Sequence, residues 1–271
     1  MNMKVKDYLE ACLEKFNNPN FIDNDPISIP HRFHTLQDIE ITAFWTAMLA
    51  WGQRKTIINS ANSLFERMDN APHDFILNHQ EHDRQAFLDF KHRTFQPTDT
   101  LYFLEFLQKF YQTHHSLEEA FVKNLVEHNY VENALIGFHN TFFSLPDAPH
   151  RTRKHIATPQ SKSTCKRLCM FLRWMVRKDT KGVDFGLWQH IKPAQLLMPL
   201  DVHVERQARR LGLIERQKTD WLTVLELTEN LRQFDAEDPV KYDFALFGLG
   251  ILEKNGDIFD SIPPLSIKPN K

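Results

Sequence analysis

The chain has 271 residues, 42% of them apolar and 25% charged, and its 33 basic and 35 acidic residues leave a net charge of −2. This length can bury a sizeable core and excludes a disulfide-stapled miniprotein, while the near-neutral charge excludes a globally basic nucleic-acid coat. Glycine is scarce, with eight residues that spell neither GxGxxG nor GxxxxGK[ST], so an all-α architecture is expected, without the usual dinucleotide or P-loop cradles.

Residues 3 to 16 place Val5, Tyr8, Leu9, Cys12, Leu13 and Phe16 at three- and four-residue steps, the spacing of one buried helical face. Charges in MNMKVKDYLE leave no apolar stretch for a signal peptide. After a loop from Asn17 to Pro30, Asp38 is the expected N-cap of a helix carrying Ala43, Phe44, Ala47, Met48 and Trp51. Its uncharged run from Ile41 to Gln53 is too short to span a bilayer and reads as a buried helix. Within TAMLAWGQRKTIINSANSLF, residues 46 to 65, that helix breaks at Gly52 and presents Gln53 at the turn. A further periodic stretch runs from Ile57 to Met68, and shorter helices fill Pro72 to Phe143, where Leu101, Leu104, Phe106, Leu107 and Phe110 form the clearest core stripe.

The composition changes at Pro149. From His150 to Gly182 there are ten Lys or Arg against one acid, Asp179. Lys162 to Arg177 passes from a basic turn into an apolar helix, and a connector holding Trp188 follows. Pro199, Leu200 and Asp201 then introduce the helix VHVERQARRLGL, with Asp201 as N-cap and Gly212 as C-cap. Two helices, about Asp220 to Gln233 and Asp238 to Leu252, complete the pattern, each with an acidic N-cap, and the tail after Asn255 reads as irregular. Cys12, Cys165 and Cys169 are an odd set without CxxC spacing, which favours a reducing cytoplasm. The histidine pairs His31/His34 and His114/His115 lack the carboxylate-flanked spacing of a metal centre, so no metal is expected.

Three segments make chemical sense together: the turn at Gln53, SKSTCKRLCMFLRWMV at residues 161 to 176, and MPLDVHVERQARRLGL at residues 198 to 213. In this order they resemble the helix-hairpin-helix DNA glycosylase superfamily of endonuclease III and the 8-oxoguanine glycosylases. The most specific match is Pro199-Leu200-Asp201-Val202-His203-Val204, and DPVKYDFALFGLG from Asp238 is similar to the family's closing helix. The chain also looks like a group of uncharacterised bacterial proteins marked by FLRWMVR and PLD[VT]H. The resemblance implies a two-lobed helical protein: residues 38–198 as a central lobe, 1–37 with 199–260 as a second lobe from both ends, and 261–271 as a tail. The family hairpin usually reads LPGVG, whereas this chain has TPQSKST from Thr158 to Thr164, so the hairpin is expected to be modified.

The resemblance also implies roles. Asp201 would stabilise the cation-like sugar formed as the base leaves C1′. Lys166 would be the amine that attacks C1′ in bifunctional members; its place in the first turn of a helix, beside Lys162 and Arg167, opposes its protonation. Lys162 is the alternative nucleophile. Gln53 would fill the gap left by the flipped base. Arg54, Lys55, Lys162, Ser163, Thr164, Arg167 and His203, with the basic stretch 151 to 181, would hold a bent duplex. Double-stranded DNA carrying a damaged base is the implied partner of a monomer, with an oxidised purine such as 8-oxoguanine as preferred substrate. The iron–sulfur cluster of the endonuclease III branch cannot be built from three cysteines, so no cofactor is expected.

Plainer readings stand beside these. Asp201 is an ordinary N-cap, Lys166 a solvated residue at a helix end, His203 a structural hydrogen-bond partner, and Trp51 and Trp188 core residues rather than platforms for a base. A non-catalytic DNA- or RNA-binding protein on the same scaffold, and an interaction protein without a nucleic-acid ligand, are the alternative functions.

Overall fold

The computed structural model describes residues 3–126 and 130–255 and is all-helical, with no strand among the described residues. The helices are α1 (Met3–Phe16), α2 (Leu36–Leu49), α3 (Arg54–Glu66), α4 (Pro72–Asn78), α5 (Pro97–Tyr111), α6 (Glu118–Val122), α7 (Glu132–Phe142), α8 (Lys166–Val176), α9 (Val202–Arg210), α10 (Trp221–Arg232) and α11 (Tyr242–Asn255), joined by short 3-10 turns. None of these is long and apolar enough to cross a membrane. The expected tail at 261–271 lies outside the described residues.

Helix α2 is the axis of the middle of the chain: Ile39 to Leu49 are all buried, and α3, α4 and α8 pack on it. The core around it is aromatic. Phe44 meets Phe103, Phe138 and Phe171 at centroid distances of 5.6 Å each, and Phe103 meets Phe142 at 4.8 Å. Each fully buried Phe contributes roughly 1.5–3 kcal/mol, so the Phe stripes are core, as their spacing suggests. Glu40 lies inside this core, where burial raises its pKa. Its carboxylate accepts from Tyr111 Oη at 2.9 Å, Leu117 N at 3.0 Å, Trp188 Nε1 at 2.6 Å and Ser116 Oγ. Trp188 is thereby a core residue. The chain ends meet elsewhere: α1 packs along α11, and α11 along α9.

Two caps differ from the sequence expectation. Helix α2 starts one turn earlier, with Thr35 as its N-cap accepting from Asp38 N at 3.3 Å. Asp38 is freed by this to accept from His73 N at 2.9 Å. Asp238 caps no helix, because Arg177 Nε takes its carboxylate at 2.8 Å and α11 begins only after the turn Pro239–Lys241. Asp201 and Asp220 do cap α9 and α10, and Gly212 follows α9 at φ +70°.

Part of the basic stretch from 151 to 181 turns inward. Arg173 is buried between Asp184, 3.2 Å from its Nε, and Asp243. Arg177 is equally buried, 2.7 Å from Asp179 and 3.1 Å from Asp184. Arg151 pairs with the buried Asp99. Arg173 thereby ties α8 to α11, and the buried Arg173 and Arg177 are engaged with acids and so are unavailable to hold phosphates.

Candidate active site

The break between α2 and α3 sets one wall. Gly52 has φ +107°, a conformation that glycine alone adopts without strain, and a Cβ there would lie 2.8 Å from Arg93 Nη1. Gln53 follows as the exposed N-cap residue of α3, its side chain making no capping bond. The next residue, Arg54, lies 3.9 Å from the buried Asp25 and stacks over the Phe247 ring at 5.0 Å.

The loop before α8 sets the second wall. Its turn, Pro159–Ser161, leads into Lys162 at φ +61° and Cys165 at φ +48°. These left-handed positions are built without glycine, each at a cost on the order of 1 kcal/mol. Ser163 Oγ accepts from Cys165 N at 3.2 Å, and Lys162 O accepts from Trp221 N at 3.1 Å, which ties the loop to α10. Lys166 is then the first residue of α8, as its position in the sequence suggests.

The start of α9 supplies the third wall. Asp201 divides its carboxylate: Oδ1 accepts from His203 N at 2.8 Å and Val204 N at 2.9 Å, capping α9, while Oδ2 lies 3.8 Å from Lys166 Nζ. The Lys166 side chain keeps 29% of its exposure and that of Asp201 13%, so both remain reachable from solvent. Gly250 lets α11 close behind this turn, since a Cβ there would lie 2.6 Å from His203 Cβ.

These walls enclose a cavity of about 890 Å³ lined by Gln53, Arg54, Thr164, Lys166, Asp201 and His203 together. Trp51, which the core reading had assigned to the interior, also lines it. Ser163 and Arg167 line an adjoining pocket of about 220 Å³ that shares Thr164 and Lys166 with the larger one. Lys55 and Lys162 are exposed outside both linings. Arg167 departs from its expected role: its guanidinium donates to the carbonyls of Met48 and Lys154, the latter at 3.1 Å, and burial lowers its pKa to about 10. It clamps α8 to α2 instead of waiting for a phosphate. His203 also differs, because its buried Nδ1 has no hydrogen-bond partner and its ring packs edge-on against Phe247 at 6.1 Å.

Among the residues of the cavity wall that escaped the sequence reading are Asp25, Arg93 and Asp243. Asp25 lies in a loop without periodicity and Arg93 in a short turn, where no spacing distinguishes a functional residue. Asp243 did leave a signal, an acid within the apolar run Tyr242 to Phe247. Burial raises its pKa to about 6, with Arg173 opposing that shift and Asp201 adding to it. Burial likewise raises the pKa of Asp25, opposed by Arg54.

Among the described residues no group of three or more His, Cys, Asp or Glu is arranged to hold a metal ion. Cys12, Cys165 and Cys169 are free and buried, and burial pushes the Cys12 thiol up to about 11 and that of Cys165 up to about 12.

The family model described as Protein of unknown function (DUF2400) matches residues 25–252. The chain belongs to the DUF2400 family. The matched stretch begins at Asp25 and ends within α11, so it takes in the whole cavity lining except Phe21. No curated protein and no solved structure matches this DUF2400 chain.

Proposed function

We propose that this DUF2400 protein is a DNA repair glycosylase on a helix-hairpin-helix-like scaffold, excising a damaged base and using Lys166 as a Schiff-base nucleophile. The observation that carries the reading is the 3.8 Å approach of Lys166 Nζ to Asp201 Oδ2 in the wall of a cavity that also contains Gln53. Residues from three distant segments, singled out by the resemblance alone, share one solvent-reachable space. Its volume lies in the range of pockets that enclose small organic groups.

In this reading the damaged nucleotide leaves the duplex and enters the cavity while Gln53 fills the gap in the stack. As the C1′–N bond breaks, its electron pair departs on the base, and the Asp201 carboxylate stabilises the positive charge growing on the sugar. The Lys166 nitrogen supplies the pair that forms the new bond to C1′. Its ammonium proton must leave first, to the solvent that reaches the side chain, so that Asp201 keeps the negative charge that faces the sugar. Capping and catalysis are compatible, since they use different oxygens of one carboxylate. An oxidised purine such as 8-oxoguanine is the preferred substrate, which the resemblance to the 8-oxoguanine glycosylases supports.

The test is base release from a panel of duplexes, each carrying one oxidised, deaminated or alkylated base, with Asp201→Asn and Lys166→Gln as controls. Release from an oxidised-purine duplex that both variants reduce supports the reading. Duplex binding without release from any lesion favours the non-catalytic DNA-binding alternative.

A further inference from the structure

Each lysine or arginine of the cavity wall but one faces an acid of the same wall, while Glu205, also in the lining, pairs with Arg209 outside it. Arg54 faces Asp25, Lys166 faces Asp201 and Arg173 faces Asp243, and all six line the cavity. Arg93 lines it too, yet it is exposed and its guanidinium has no acidic partner among the described residues. Instead it lies over the Trp51 ring, 4.8 Å from the centroid.

Three features hold Arg93 in this place. Its backbone is left-handed, φ +55°, inside a tight turn closed by His92 N to Phe95 O at 3.0 Å and Phe95 N to His92 O at 2.8 Å. His92 is anchored by Ser60 Oγ at 2.8 Å from Nδ1, and Phe95 is fully buried. Gly52 leaves open the space that the guanidinium occupies, as the 2.8 Å approach to a Cβ there demonstrates. A glycine would fit the Arg93 backbone without strain, so the side chain is the physical reason for an arginine there. Stacking removes conformational freedom from the guanidinium while leaving its edge N–H groups free, which is the form suited to a phosphate.

We propose that Arg93, stacked on Trp51 beside Gln53, is a binding residue for a backbone phosphodiester of the nucleic-acid strand that enters the cavity. This rests on the nucleic-acid reading given above, but not on any catalytic step. The contact is to the backbone, so it carries affinity without regard to base or lesion.

The experiment is fluorescence anisotropy of the full chain with short fluorescein-labelled duplexes, undamaged and damaged, across a salt series. Arg93→Gln removes the cation, whereas Arg93→Gly removes it and also relieves the left-handed backbone. Both variants are expected to bind all duplexes severalfold more weakly, with the slope of log affinity against log salt shallower by about 0.9. Arg93→Gly is expected to melt no lower than the wild type, which separates lost binding from lost folding. Wild-type binding with an unchanged slope in both variants would overturn the role of Arg93 and leave the proposed function standing. No duplex binding by the wild type at low salt would overturn both.

Discussion

Lys166 and Asp201 are 35 residues apart in sequence, yet Lys166 Nζ lies 3.8 Å from the one Asp201 oxygen that does not cap α9. The cap fixes the carboxylate, and the first turn of α8 places the Lys166 backbone within side-chain reach of it.

The divided carboxylate predicts that stability and activity separate at position 201. Asn caps helices as well as Asp does, so Asp201→Asn should change the folding free energy by less than about 0.5 kcal/mol, whereas Asp201→Ala should destabilise by about 1 kcal/mol. Both should slow base release by at least about a hundredfold, because neither carries charge to the sugar. Urea unfolding and single-turnover kinetics on the same preparations read the two effects.

Gly52 serves both φ and space. Gly52→Ala should destabilise by at least about 1 kcal/mol, from a left-handed alanine and from displacement of Arg93. Thermal unfolding measures the loss. The double variant Gly52→Ala/Arg93→Gly should recover the steric part while keeping the backbone part.

The loop before α8 offers the opposite case. Lys162 adopts φ +61° with an exposed side chain, and Lys162→Gly should stabilise by up to about 1 kcal/mol, because relief of the left-handed strain outweighs the added freedom of the unfolded chain. A higher melting temperature with unchanged base release would also separate Lys162 from the chemistry, leaving Lys166 as the nucleophile.

Asp243 predicts a pH dependence. Its folded pKa of about 6 lies above the ordinary value of 3.8, so between those values the folded state binds the proton and the unfolded state does not. Its contribution is fully present below pH 3.8 and is lost as pH rises through about 6. Asp243→Asn lacks this loss. The stability difference between variant and wild type should therefore move in favour of the variant from pH 4 to pH 7, as denaturant unfolding at several pH values would record.

Helical periodicity and scarce glycine were enough to read the all-α class; the spacing of apolar residues located α1 closely, and the apolar run after the basic turn located α8. The Gly52-Gln53 break and the Asp201 cap were legible because each rests on local backbone chemistry. Asp38 and Asp238 were misplaced for a different reason: both are acids before helical runs, and only tertiary partners, His73 and Arg177, decide where their carboxylates go. The basic stretch misled in the same way. Arg167, Arg173 and Arg177 look alike in sequence, but their partners lie in α2, α11 and the loops, so composition could not distinguish an inward guanidinium from an exposed one. Arg93 and Asp25 sit in short irregular segments, where periodicity carries no information about direction.

The central claim is tested most directly by borohydride reduction in the presence of an 8-oxoguanine duplex, followed by peptide mapping of the adduct. The account predicts a covalent protein–DNA species attached at Lys166 and absent in Lys166→Gln. An adduct at another lysine, or undiminished trapping in Lys166→Gln, would contradict it.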